Sequence, residues 1–359
     1  MTSPAARTAP ASGAAAPAAA APAPVSPAPF TPAPAAPALV VRAPGDVALE
    51  TRAAPSAAAG DLLARPDLIG LCGTDLEIID GAVDPAYLRY PVVLGHEWTG
   101  TAGGRRIVAE GVIGCMHCAR CAAGQTNLCE TYDEIGFTRD GAAAGAIAVP
   151  AAGVHYTDPG VTPEDAVLAE PAAVVFQAIR RARPEPGIRA LVIGDGTVAL
   201  LAARMLRLWS PAQVVLLGRR PAQAELAAQA GADRFETADA AAGSGYDLVL
   251  EAAGTTSAAA AAIAAVRRGG TVVLVGLPPH GATVPLSVDD AVNNDLTILG
   301  SFSYTAAAFG SVVTLLNAGQ LKPGFLVTHR FPLTAWQDAI ATLRGTDGPR
   351  GKILLQPGA

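Results

Sequence analysis

The chain predicts a two-part α/β protein, a β-rich first part followed by a doubly wound parallel sheet, on three observations. From about Ile188 onward, short apolar strands alternate with alanine-rich helical stretches. The turn Gly194-Asp195-Gly196-Thr197-Val198-Ala199 follows one of these strands and opens a helix. Upstream, proline and glycine punctuate the chain every few residues, as in an all-β domain with long loops.

Residues 1–37 are almost wholly Ala and Pro with a few Ser and Thr, a composition that cannot bury enough surface to repay ordering. They are read as a disordered tail. A transit or Tat-type leader and an upstream extension from a misplaced start codon both fit that composition. The β-rich part runs from 38 to 165 and opens with the strand Leu39-Val40-Val41-Arg42. The nucleotide-type sheet runs from 166 to 300, with strands at Ala190–Ile193, Val214–Leu217, Asp247–Leu250, Thr271–Val275 and Leu296–Gly300. Helices are predicted over Thr197–Leu208, Ser257–Val266 and Ala306–Ala318. Residues 301–359 return to the first part, closing with the strand Gly351–Leu355.

With 359 residues, 51% of them apolar, the chain can build two cores. A formal charge of -6 and scattered basic residues give no footprint for nucleic acid or an anionic membrane. The prolines of the tail rule out a spanning helix there. Small-molecule chemistry is the expectation.

All five cysteines fall in two places, and both read as zinc sites. Cys115, Cys118, Cys121 and Cys129 follow a C-x2-C-x2-C-x7-C spacing that closes a tetrahedron around one structural ion. Disulfides so crowded would be strained, and cysteines in metal-ligand spacing suggest a reducing compartment, the cytoplasm. Cys72, alone in Gly70-Leu71-Cys72-Gly73-Thr74-Asp75, pairs with Gly95-His96-Glu97 as an open metal site. Cys72 and His96 supply a thiolate and an imidazole, Glu170 is the third ligand, and Glu97 is a neighbour or alternate ligand. A fourth position stays open for a substrate alcohol or carbonyl oxygen. The Thr74 hydroxyl stands where it can accept the alcohol proton, and Asp75 where it can orient His96.

The glycine turn is a dinucleotide fingerprint. Gly194 and Gly196 allow the tight turn and close approach to pyrophosphate, Thr197 and Val198 open the helix, and Ala199 keeps helix near strand. An NAD-binding sheet usually carries an acid at the end of the second strand; here stand Gly218-Arg219-Arg220. Guanidinium groups there pair with a 2′-phosphate, so NADP is favoured over NAD.

Taken together, these motifs resemble the zinc-containing alcohol dehydrogenase family, the medium-chain dehydrogenases, in residues and in order. The resemblance implies a GroES-like catalytic domain, a Rossmann domain, hydride transfer between them, and homodimers or homotetramers. Glu170 as third ligand is similar to the sorbitol, threonine and aminocyclitol branch. Gly136-Phe137-Thr138-Arg139-Asp140-Gly141 resembles aminocyclitol enzymes such as 2-deoxy-scyllo-inosamine dehydrogenase. Three departures stand out. The connection from Trp98-Thr99-Gly100 to Arg105-Arg106-Ile107-Val108 is short, Glu77 stands where many members carry a relay histidine, and Ala144-Gly145-Ala146 replaces acidic and aromatic residues. The rival reading is an inactive, zinc-stabilised nucleotide-binding or redox-sensing protein, against which intact Cys72, His96 and Glu170 argue.

Overall fold

The computed structural model describes residues 35–237 and 244–358. The expected disordered tail lies, for residues 1–34, outside the described residues, while Ala36 and Pro37 belong to the first strand. The first part holds β1 (Ala36–Ala43), β2 (Asp46–Arg52), β3 (Asp61–Leu71), β4 (Val92–Val93), β5 (Glu97–Ala102), β6 (Arg105–Ala109), β7 (Ile147–Pro150) and β8 (Val154–Tyr156). β1 lies between β2 and β4, both antiparallel to it, and buries Leu39, Val40 and Val41.

The short connection after Trp98 becomes a tight hairpin. β5 and β6 pair antiparallel across Gly103-Gly104, whose φ values of 56° and 77° are the left-handed ones a two-residue turn uses.

In the second part β9 (Arg189–Ile193), β10 (Gln213–Gly218), β11 (Arg234–Thr237), β12 (Tyr246–Glu251), β13 (Val266–Leu274) and β14 (Thr297–Gly300) form one sheet. Its order is β11-β10-β9-β12-β13-β14, every pair parallel. The order reverses between β9 and β12, so a ligand crevice opens beyond their carboxyl ends. The helix opened by the glycine turn covers Thr197–Leu206 and tightens into a 3₁₀ turn over Arg207–Trp209, ending earlier than its apolar pattern predicts.

The last two strands, β15 (Val327–Pro332) and β16 (Lys352–Gln356), leave the parallel sheet. β16 pairs antiparallel with β3, giving the order β15-β16-β3-β5-β6-β8 with β7 beside the start of β3. One core gathers Ile69, Leu71, Leu94, Trp98 and Ile353 around this sheet. A second core surrounds the helix Ala169–Ala182, which packs on Thr197–Leu206 and Ala306–Asn317. Leu68, Val108 and Leu354 of the first sheet reach into that second core. Each such aliphatic side chain contributes about 1.5–3 kcal/mol by leaving water, and the shared packing sets the first part against the crevice.

Candidate active site

β3 ends at Leu71 and the chain turns directly into the helix Gly73–Asp80, with Cys72 as its N-cap. Cys72 Sγ accepts the Thr74 N–H at 3.3 Å, and the Asp75 carboxylate accepts the Cys72 N–H at 2.8 Å. This reciprocal cap fixes a thiol and a carboxylate from one short segment. Thr74 is half-buried on the first turn, next to the sulfur. His96 arrives from the other side through Gly95, whose φ of 103° and missing Cβ, which would stand 2.9 Å from Ala143 N, make glycine necessary.

The two segments meet at the imidazole. Cys72 Sγ is 3.2 Å from His96 Nε2, and Asp75 Oδ1 is 3.5 Å from His96 Nδ1. Sulfur and nitrogen on one tetrahedral zinc stand about 3.6 Å apart. Asp75 Oδ1 and His96 Nδ1 are buried and have no other partner among the described residues, as when a ligating imidazole turns its second nitrogen to a carboxylate. The donor set therefore fits zinc. Burial alone would lower the His96 pKa, but the negative charges of Cys72 and Asp75 outweigh it and hold the value well above the usual one.

Glu170 lies in the first turn of Ala169–Ala182, 9% exposed, with no hydrogen bond to its carboxylate among the described residues. The ligand atoms of Cys72, Asp75 and His96 lie within 4.8 Å of one another, a group that leaves Glu170 outside. Burial, and after it the charge of Glu97, pushes the Glu170 carboxyl up to about 8.

Glu97 has a cation beside it. Read from the sequence as a neighbour or alternate ligand, its carboxylate instead contacts Lys352 Nζ, which also donates to Leu71 O at 3.1 Å. Both side chains are buried, and a buried carboxylate is held by the cation within reach. A Cβ on Gly70 would stand 2.5 Å from Glu97 Oε2, so the bare backbone there makes room for the pair. Lys352 escaped the sequence reading; its one signal is a charged residue at the head of an apolar closing strand.

The sulfurs of Cys115, Cys118, Cys121 and Cys129 also lie within 4.8 Å of one another, and tetrahedral zinc sets such sulfurs about 3.8 Å apart. None is in a disulfide. The backbone is wrapped around them: Cys118 N–H points at Cys115 Sγ, Cys121 N–H at Cys118 Sγ and Cys115 N–H at Cys129 Sγ, all at 3.3–3.4 Å. The His117 and Cys118 amides pull Cys115 down to about 6, whereas burial raises Cys121 to about 12. The lobe grips a distant segment, because Asn127 donates to Phe302 O at 2.7 Å and Ala306 N–H to Thr126 Oγ1 at 3.0 Å. That segment carries Tyr304, a second residue missed in the sequence, which is fully buried and accepts the Gly111 N–H at 2.8 Å.

In the crevice, Gly194 has φ 130° and a Cβ there would stand 3.0 Å from Ala252 backbone. Gly196 caps Thr197–Leu206 without a side chain over the first amides, and space is open where its Cβ would be. Thr197 and Val198 are half-buried at that helix start and Ala199 is fully buried. The turn fits a pyrophosphate.

The end of β10 differs from its expected reading. Asp195, inside the glycine turn, accepts the N–H groups of Arg219 and Arg220 at 2.9 Å each and pairs with Arg220 Nη2 at 3.0 Å. A carboxylate from the turn thus stands at the end of β10, where it is held by Arg220 and the two amides. Arg219 stays exposed. Gly218 is needed for this crossing, since a Cβ there would lie 2.6 Å from Asp195 Cβ.

Comparisons with known proteins agree with this arrangement. The family description "Alcohol dehydrogenase GroES-like domain" matches residues 58–159, and "Zinc-binding dehydrogenase" matches residues 196–318. The chain is 30% identical to L-galactonate-5-dehydrogenase of Escherichia coli over 315 residues, 82% of this chain and 91% of that one. It is 31% identical to sorbitol dehydrogenase of Gallus gallus over 344 residues, 89% and 96% of the two. Among solved structures, a zinc-binding dehydrogenase from Sinorhizobium meliloti bound to NADP superposes with a TM-score of 0.84 at 26% identity, covering 89% of this chain and 99% of that one. No helix of the described residues is long and apolar enough to cross a membrane. With a GroES-like sheet, a Rossmann sheet and relatives of this kind, the chain belongs to the zinc-containing alcohol dehydrogenases.

Proposed function

We propose that this enzyme interconverts a secondary alcohol and its ketone on a polyol, sugar alcohol or aminocyclitol, 2-deoxy-scyllo-inosamine being one candidate, using NADP in preference to NAD. It carries one catalytic and one structural zinc and works in the cytoplasm as a homodimer or homotetramer. The observation that carries this reading is the imidazole of His96 held between Cys72 Sγ at 3.2 Å and Asp75 at 3.5 Å, before a glycine turn built for pyrophosphate.

Cys72, His96 and Glu170 hold the catalytic ion, which when bound polarises the substrate oxygen and eases its deprotonation. Asp75 keeps the His96 ring turned with Nε2 toward the sulfur. Thr74 receives the alcohol proton on its hydroxyl and passes it toward the cofactor ribose or solvent. Glu97 with Lys352 sets a neutral, rigid wall behind the site. The amides of Thr197 and Val198 orient the cofactor through its phosphates, and the nicotinamide supplies the hydride acceptor or donor.

Metal analysis joined to a turnover screen of NADP and NAD with polyols tests this. Two zinc ions per chain and oxidation of a polyol to a ketone are expected; one ion and no turnover with any pair would reject the reading. Replacing Arg219 by Asp should shift the NADP to NAD ratio of kcat/KM by roughly 10- to 100-fold toward NAD, because it exchanges the exposed guanidinium for a repelling charge. Equal ratios in both proteins would remove the phosphate argument. Replacing Cys118 by Ser should remove one zinc and lower Tm by roughly 5 °C or more, since the lobe also anchors Phe302 and Ala306. An unchanged melting curve would exclude a structural ion.

A further inference from the structure

Glu134 has no part in the chemistry above. It lies in the loop after the four-cysteine lobe, where it forms an isolated bridge with Val112 and the next amide, Ile135 N–H, donates to Gly111 O at 3.0 Å. Two residues on, Gly136 has φ 81° and passes so near His96 that a Cβ would stand 3.2 Å from the His96 nitrogen of the backbone. The Phe137 ring centroid is 5.2 Å from that of the imidazole. The loop therefore fixes Glu134 on the His96 wall of the cleft.

Glu134 is 8% exposed, yet among the described residues its carboxylate accepts no hydrogen bond and meets no cation of Lys or Arg. A Cβ on Gly111 would stand 3.1 Å from Tyr304 Oη and 3.9 Å from Glu134 Oε1. The phenol and the carboxylate thus border one small gap, kept open by a glycine. Gly111 N–H occupies an acceptor position of Tyr304 Oη, which leaves the phenol proton to be donated. Burial raises Glu134 to about 7 against the charge of His96, and Tyr304 rises through burial and then the charge of Glu170, with Glu134 adding to it.

A carboxylate held away from most of the solvent without donors is unfavourable. The other acids of the cleft are matched: Glu97 by Lys352, Asp75 by His96, and Glu170 by its reading as ligand. Among the described residues Glu134 and Glu170 both lack a side-chain donor or a Lys or Arg cation, and of the two only Glu170 has a role in the proposed chemistry. We propose that Glu134 is a specificity-determining residue that receives an ammonium group carried by the alcohol substrate, with the Tyr304 hydroxyl beside it as a hydrogen-bond donor. A cation satisfies both the charge and the lone pairs, whereas a neutral hydroxyl satisfies only a lone pair. This rests on the alcohol dehydrogenase reading of the same site and adds to it a charge requirement on the substrate.

The test compares trans-2-aminocyclohexanol with trans-cyclohexane-1,2-diol, which differ only in the group beside the reacting carbon. Both are titrated by calorimetry into the zinc- and NADP-loaded enzyme at about pH 8, above the value of about 7 to which burial raises Glu134 and where the amine still carries its proton, and both are assayed for oxidation. The wild type should bind the amino alcohol roughly 10- to 100-fold more tightly, and Glu134→Gln should bring that ratio near one while two zinc ions per chain remain. No preference in the wild type, or the same ratio in Glu134→Gln, would overturn the proposal. Loss of a zinc ion from Glu134→Gln would overturn it too, by making Glu134 a ligand. Binding discrimination without oxidation of either compound or of any polyol would uphold the ammonium site and reject the dehydrogenase reading, so the two failures are told apart.

Discussion

Replacing Cys72 by serine is expected to lower kcat/KM at least about a thousandfold and, on the proposed reading of two zinc sites, to lower the zinc content by one ion per chain. Serine keeps an acceptor for the Thr74 N–H, so the helix cap and the fold survive the change. What goes is a thiolate ligand and, with it, the means of stabilising negative charge on the substrate oxygen, a contribution of several kcal/mol to the barrier. His96→Ala should act alike, and it also leaves Asp75 Oδ1 without its neighbour. The ion of the four-cysteine lobe should remain in both variants. Zinc uptake at the Cys72 site should also strengthen as pH rises toward 8, because Glu170, raised to about 8 by burial, must release its proton to become a ligand. Zinc content by mass spectrometry and steady-state rates read these effects together. Retained turnover with one zinc per chain would reject the assignment of the catalytic ligands.

Lys352→Met should destabilise the protein by about 3–5 kcal/mol, read as a lower urea midpoint at unchanged slope. Lys352 and Glu97 are 1% and 3% exposed in their side chains, so the variant strands a carboxylate that water cannot reach. β16 also loses the ammonium that ties it to Leu71 O of β3. The double variant Glu97→Gln with Lys352→Met should recover much of the loss, since it removes both charges from an apolar setting. A single variant within about 1 kcal/mol of wild type would mean the pair contributes little.

Signals that are local in the chain were legible. The strand expected at Val214–Leu217 sits inside Gln213–Gly218 and the helix at Ala306–Ala318 becomes Ala306–Asn317, because apolar periodicity and turn residues are set by near neighbours. The cysteine lobe was legible for the same reason, its four sulfurs coming from one short segment. Asp195 shows the limit. The sequence gives it no role within the glycine turn, yet it crosses to the amides of Arg219 and Arg220. No spacing rule announces a contact between strands that the sheet alone brings side by side.

By itself the sequence determined which groups are available: thiols in ligand spacing, an imidazole after a glycine, a phosphate-binding turn and the strand alternation that makes a parallel sheet. Only the tertiary structure decided what each acid does. Glu97 is taken up by Lys352 from 255 residues away, Asp75 stands behind His96, and Glu134 has no side-chain partner among the described residues. A carboxylate's role follows from the charges and donors within a few ångströms of it, and those neighbours are assembled by packing between segments far apart in the chain.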